Sequence, residues 1–150
     1  MGRSGVFIGE FHHSLDTKSR LIVPAKFRTD LGRKFVMTRG LEGCLFVFPE
    51  EHWNVIAEKI SALPLMKKDA RKFSRMFLSG ATEVEVDKSG RFVIPAVLSE
   101  YANLMKECAI IGVQNRLEIW DKQRWQEFCN TSIEEYEEIA EQLIDFELNF

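Results

Sequence analysis

Polar and apolar positions along this chain sort into short strand-like runs and longer helical stripes, punctuated by Gly, Pro and Asp. Residues 6–15 have the composition of a strand, interrupted by the polar His12-His13-Ser14. Residues 20–23 predict a second short strand, with Arg20 and Ile22 on one face and Leu21 and Val23 on the other. The turn between them, residues 16–19, opens with an Asp that can accept hydrogen bonds from the amides that follow, and its fourth position calls for a positive φ. Pro24 suits the first turn of a helix and Gly32 its end. Residues 34–39 and 44–48 read as strands around a turn at 40–43. Pro49-Glu50-Glu51 then opens a helix whose Trp53, Ile56, Ala57 and Ile60 share one face.

Pro64 separates this stretch from a linker helix over residues 64–80, stopped by Gly80. Met66, Ala70, Phe73 and Phe77 form its apolar stripe, and Lys67, Lys68, Arg71, Lys72 and Arg75 cluster on its other side. A strand at 82–86, a turn, a short strand, a helix at Pro95, strands at 108–113 and 117–120 and a helix from Lys122 follow. Asn130-Thr131-Ser132 predicts a helix break and a new cap. Beyond it, Ile133, Tyr136, Ala140, Leu143 and Ile144 mark one face of an acidic amphipathic helix over 131–150.

The order of elements is the same twice because the sequence is. Asp16-Thr17-Lys18-Ser19-Arg20-Leu21-Ile22-Val23-Pro24 returns 71 residues later as Asp87-Lys88-Ser89-Gly90-Arg91-Phe92-Val93-Ile94-Pro95. The match resumes at a shift of 72, Gly40 through Trp53 against Gly112 through Trp125. The chain is a tandem duplication, with domains expected at 10–52 and 81–124. A module of about 50 residues is marginal alone, so the two copies are expected to share a core that extends into an oligomer. Residues 1–5 read as a leader ahead of the first strand.

Charge changes the picture. The net charge of −3 hides a divide, since residues 131–150 hold seven acids and no Lys or Arg. Removing those from the chain's 23 acids leaves 16 against 20 bases, so residues 1–130 carry a net +4. The acidic overall balance is therefore a weak argument against nucleic-acid binding. Cys44, Cys108 and Cys129 are odd in number, far apart and set in apolar segments, which reads as reduced thiols in a cytoplasmic protein. No apolar run approaches a membrane span, and no metal, cofactor, small-molecule substrate or catalytic residue is implied. His12 and His13 are adjacent on a strand and point to opposite faces, so they do not chelate together. The acidic pairs fall at helix starts or on a solvated face.

The repeated turn carries the candidate chemistry. Arg20 and Arg91, with Lys18 and Lys88 beside them, can project from a hairpin mouth toward a nucleic-acid groove, where a guanidinium reads a guanine edge bidentately. Alternatively each Arg pairs with its own Asp16 or Asp87 and pins the turn; the two roles are compatible. Gly90 supplies the positive φ freely, and Ser19 occupies it at a cost in strain. Lys26, Arg28, Arg33, Lys34 and Arg39 make the first copy the more basic, as phosphate contacts or as solvated surface charge. The linker-helix bases read best as partners of the acidic C-terminal helix, in the same or a neighbouring subunit, with DNA as the alternative.

The two DxxxR turns, each followed by an apolar stretch and Pro, resemble the swapped-hairpin AbrB-like domain. Two such copies, with Phe7-Ile8-Gly9-Glu10 in front, resemble the MraZ family over nearly the whole chain. The resemblance implies an α+β fold: a tandem AbrB-like swapped-hairpin β-barrel of two ββαββ-type copies with flanking helices. It implies a bacterial, nucleoid-associated transcriptional regulator that forms ring-like homo-oligomers. Such a regulator binds double-stranded DNA at short G-rich direct repeats in the promoter of its own division and cell-wall gene cluster. The family's DNA-contact Arg falls on Arg20, and Ser19 stands where glycine is usual. AbrB-like domains also serve as antitoxin-like protein-binding modules, the alternative reading.

Overall fold

The computed structural model describes residues 6–148; the leader expected at residues 1–5 lies outside the described residues. The first copy contributes β1 (Phe7–Ser14), β2 (Arg20–Ile22), a 3-10 turn (Ala25–Phe27), α1 (Arg28–Leu31), β3 (Lys34–Arg39), β4 (Leu45–Pro49) and α2 (Glu50–Ser61). After α3 (Lys68–Ser79), the second contributes β5 (Thr82–Glu85), β6 (Arg91–Val93), α4 (Ala96–Tyr101), β7 (Glu107–Gln114), β8 (Leu117–Asp121) and α5 (Lys122–Gln142). The fold is mixed α+β. Among the described residues there are five α-helices, a six-stranded antiparallel sheet in the order β1-β7-β8-β4-β3-β5, and a two-stranded ribbon of β2 and β6.

Every strand finds a partner in the other copy. β1 pairs with β7 over eight positions, Phe7↔Gln114 to Ser14↔Glu107, and β5 pairs with β3 in the mirrored relation. β4 meets β8 at the centre of the sheet, and β2 meets β6 in the ribbon. Backbone bonds at the turns follow the same exchange: the Val23 amide donates to the Gly90 carbonyl at 2.8 Å and the Ile94 amide to the Ser19 carbonyl at 2.9 Å. Each copy keeps only a two-stranded hairpin of its own, β3–β4 in the first and β7–β8 in the second, and the rest of the strand pairing crosses between copies, which is how two marginal modules make one stable body.

The core is accordingly common property. Phe7, Leu21, Phe27 and Phe35 of the first copy pack in one cluster with Phe92, Ile94, Leu98 and Ile110 of the second. The period-2 reading of residues 20–23 holds, because Leu21 and Val23 are buried while Arg20 and Ile22 are only partly so. Two satellite clusters repeat each other at the flanks: Phe48 and Trp53 in the first copy, joined by Phe77 of α3, and Trp120 and Trp125 in the second.

The flanks also show where the copies diverge. α2 ends at Ser61, with Ala62 as its C-cap, shortly before Pro64, which cannot continue a helix. At the matching position the second copy has Tyr136, and α5 runs unbroken from Lys122 to Gln142. The break expected at Asn130-Thr131-Ser132 is absent. Thr131 Oγ1 instead donates back to the Glu127 carbonyl at 3.4 Å, so its hydroxyl is satisfied within the helix. Asp121 caps α5 by accepting from the Arg124 amide, while Pro49 opens α2 without a side-chain cap.

Candidate nucleic-acid interface

The two DxxxR turns are built alike, atom for atom. Asp16 Oδ1 accepts from the amides of Lys18 and Arg20, both at 2.9 Å, and its Oδ2 takes the Arg20 Nε–H at 2.7 Å. Asp87 Oδ1 accepts from Ser89 at 2.8 Å and Arg91 at 2.9 Å, with Arg91 Nε donating to Oδ2 at 3.2 Å. The amide donated by Arg20 is the main reason Asp16 titrates below the ordinary carboxylate range, opposed by partial desolvation and helped by the guanidinium. Asp87 is lowered in the same way, first by the Arg91 amide. Ser19 and Gly90 both adopt the positive φ the turn requires, at 58° and 79°.

Cross-pairing then brings the two turns together. In the β2–β6 ribbon Arg20 stands opposite Val93 and Arg91 opposite Ile22, while Leu21 and Phe92 face each other into the core. Both guanidinium groups therefore share the outer face of one two-stranded ribbon, at diagonal positions. Arg91 Nη1 lies 4.0 Å from Asp16 Oδ2, so Asp16 sits between the two arginines. This cross-copy contact has no signal in the sequence, since it depends on which strand pairs with which. Each Arg spends its Nε on an Asp, and the Arg20 and Arg91 side chains remain 29% and 38% exposed.

The other basic residues divide into two groups. Arg28 and Arg33 line a 530 Å³ depression beside the second turn, together with Lys88 and Gly90. Arg28 Nε donates to the Val23 carbonyl at 3.0 Å, and its guanidinium lies over Gly90, where an added Cβ would meet Cζ at 2.8 Å. Lys18 and Lys88 are exposed at the tips of the turns. Lys34 is set apart: it stands opposite Glu85 in the β3–β5 ladder and lines a second depression with Glu50 and Glu51. Arg33 Nη2 also approaches Glu85, at 3.9 Å. Arg39 is used structurally, donating to the Met76 carbonyl at 2.6 Å near the end of α3. Arg124, which carried no signal in sequence, clamps the copies by donating to the carbonyls of Gly43 at 2.7 Å and Glu42 at 3.0 Å.

No group of three or more His, Cys, Asp or Glu placed to hold a metal occurs among the described residues, and no described helix is long and apolar enough to cross a membrane. The fold and the paired turns define a protein of two interlocked copies of one small module, with Arg20 and Arg91 brought together on a shared ribbon. A family model described as "MraZ protein, putative antitoxin-like" matches the chain twice, over residues 6–76 and 77–147. The chain belongs to the MraZ family, a regulator-type family rather than an enzyme family.

Proposed function

We propose that this protein is a sequence-specific DNA-binding transcriptional regulator whose interface is the β2–β6 ribbon and its two turns. The observation that carries the reading is the placement of Arg20 and Arg91 on one exposed ribbon face, each oriented by an Asp. A two-stranded ribbon fits the major groove, and an Arg already fixed through Nε presents its terminal nitrogens to a guanine edge with little further loss of entropy. Lys18, Lys88, Arg28 and Arg33 surround the turns and supply phosphate contacts. Lys34, opposite Glu85, is the weakest of the predicted contacts.

The strand exchange between copies supports the finer fold reading, a swapped-hairpin AbrB-like barrel with domains at 10–52 and 81–124. In that reading several chains join in a ring, and successive ribbons engage short G-rich direct repeats in the promoter of the protein's own division and cell-wall gene cluster. Linked weak contacts then gain affinity by effective concentration. The protein works in the cytoplasm, at the nucleoid.

The test is a gel-shift titration on tandem G-rich repeats and a scrambled fragment, with Arg20→Ala in parallel. A preference for the repeats that disappears in the folded variant, with binding that falls steeply as salt rises, is the expected result. An unchanged specificity ratio in Arg20→Ala refutes base reading by this residue. The antitoxin-like wording of the family description favours a second reading, a module that masks a protein partner. Equal or absent binding to both fragments would move the function there.

A further inference from the structure

The distal part of α5 has no seat in its own chain. Its first turns are anchored where Trp125 and Phe128 pack on Trp120, at centroid distances of 5.2 and 5.0 Å. Beyond them, every residue from 133 to 148 except Ala140 is exposed. Ile133 is 69% exposed, Tyr136 67% and Phe146 79%. The stripe of Ile133, Tyr136, Ala140 and Leu143 is flanked by Glu134, Glu137, Glu138 and Glu141. This is an acidic amphipathic helix with its apolar face in water.

The complementary surface is open between α2 and α3. Where α2 gives way to α3, a 360 Å³ groove is lined by Ile60, Leu63, Leu65 and Leu78, with Arg71 and Arg75 on its wall. Leu65 is 76% exposed. Lys68 and Lys72 continue the basic side of α3 next to that wall. No ion pair joins α3 to α5 among the described residues.

We propose that the distal half of α5 of one copy occupies the α2–α3 groove of a second copy. Three observations converge on that occupant. The apolar stripe meets an apolar groove. The charges are opposite throughout, since residues 131–150 hold seven acids and no base. The spacing agrees as well, because Glu137 and Glu141 repeat at the same i, i+4 interval as Arg71 and Arg75, a rise of about 6 Å on either helix. The distal part of α5 lies exposed in its own chain and, among the described residues, makes no ion pair with its own α3, so the pairing is between chains. Tail and groove are different surfaces, which makes the contact heterologous and able to propagate into a closed ring. The inference rests on the self-assembly reading above and specifies its surfaces.

The experiment is light scattering after gel filtration of the full chain, in three forms. One is wild type, one carries Ile133→Glu and Tyr136→Glu, and one carries Lys72→Glu and Arg75→Glu; Arg71 keeps its 3.0 Å bond to the Leu65 carbonyl. All four positions are exposed, so a wild-type circular dichroism spectrum is expected for each variant. The expected result is a wild-type oligomer and two variants of lower mass. Mixing the two variants should give a 1:1 species, because one intact tail and one intact groove remain. Adding Glu141→Lys to the groove variant, with Glu137 left to face the retained Arg71, should recover assembly. Variants that keep the wild-type mass overturn the proposal and leave the oligomer reading standing, and so does a loss of mass that neither mixing nor charge exchange repairs. A monomeric wild type overturns both. A groove variant that keeps its mass but loses DNA affinity assigns the α3 bases to phosphates and also overturns it.

Discussion

The two turns share a backbone conformation but differ in how they achieve it, and that difference can be measured by exchanging their fourth residues. Ser19 sits at φ 58° and Gly90 at φ 79°. Holding a residue with a Cβ in the left-handed region costs about 1–2 kcal/mol, and replacing a glycine returns roughly 0.4–1 kcal/mol through the unfolded chain. Ser19→Gly should therefore stabilise the protein by a little under ~1 kcal/mol. Gly90→Ser pays the same net strain and a further cost, because its Cβ would lie 2.8–3.0 Å from the Arg28 guanidinium. That group is the end of a flexible side chain, so it yields, but it gives up the bond to the Val23 carbonyl, worth about 0.5–1.5 kcal/mol. The total for Gly90→Ser is about 2 kcal/mol, or roughly 4–8 °C in Tm for a chain of this size. The assay is urea and thermal unfolding of Ser19→Gly and of Gly90→Ser with and without Arg28→Ala. Without Arg28, the Gly90→Ser penalty should fall to about 1 kcal/mol, the strain alone. The repeat places Ser99 at the position matching Arg28, which accounts for a larger residue being tolerated at Ser19. An undiminished Gly90→Ser penalty in the Arg28→Ala background would refute the reasoning.

Other expectations follow from the same geometry. Asp16 and Asp87 titrate below their ordinary value, so the stability they contribute is present above the unfolded-state value of about 4 and lost as pH falls through the folded-state value. The Asp16→Asn, Asp87→Asn pair should flatten the acid side of a Tm-against-pH profile; an unchanged slope below pH ~4 would contradict this. Burial pushes the Cys44 and Cys108 thiols up to about 12, so in native protein at mildly alkaline pH a thiol reagent should label Cys129 first and those two only on unfolding. In Gly112→Ala the new Cβ would stand 2.6 Å from the Ile8 nitrogen and 2.7 Å from the Phe7 carbonyl carbon. Backbone cannot step aside as a side chain can, so the β1–β7 pairing should be lost at a cost of ~3 kcal/mol or more, read as a collapse in Tm.

Much of this protein was legible before any coordinates. The duplication, the order and type of the elements, the inward Leu21 and Val23, the positive φ at Ser19 and Gly90 and the Asp–Arg turn are all local properties. They follow from side-chain period and from hydrogen bonds spanning two to four residues, which a sequence carries explicitly. The candidate site was half visible in the same way. Its four charged members could be named, but not that Asp16 would stand between Arg20 and Arg91 or that Arg28 would lie over the turn of the other copy. The continuity of α5 through Asn130-Thr131-Ser132 was missed because those residues favour caps without forbidding a helix, and no proline stops it as Pro64 stops α2. Only the tertiary structure decided the exchange of strands between copies. A period of two tells each strand which face to bury and nothing about its neighbour, so two similar modules could each have kept all of their strands to themselves, beyond the β3–β4 and β7–β8 hairpins that they do form. Pairing across them instead removes from water the apolar surface that neither module is large enough to bury alone.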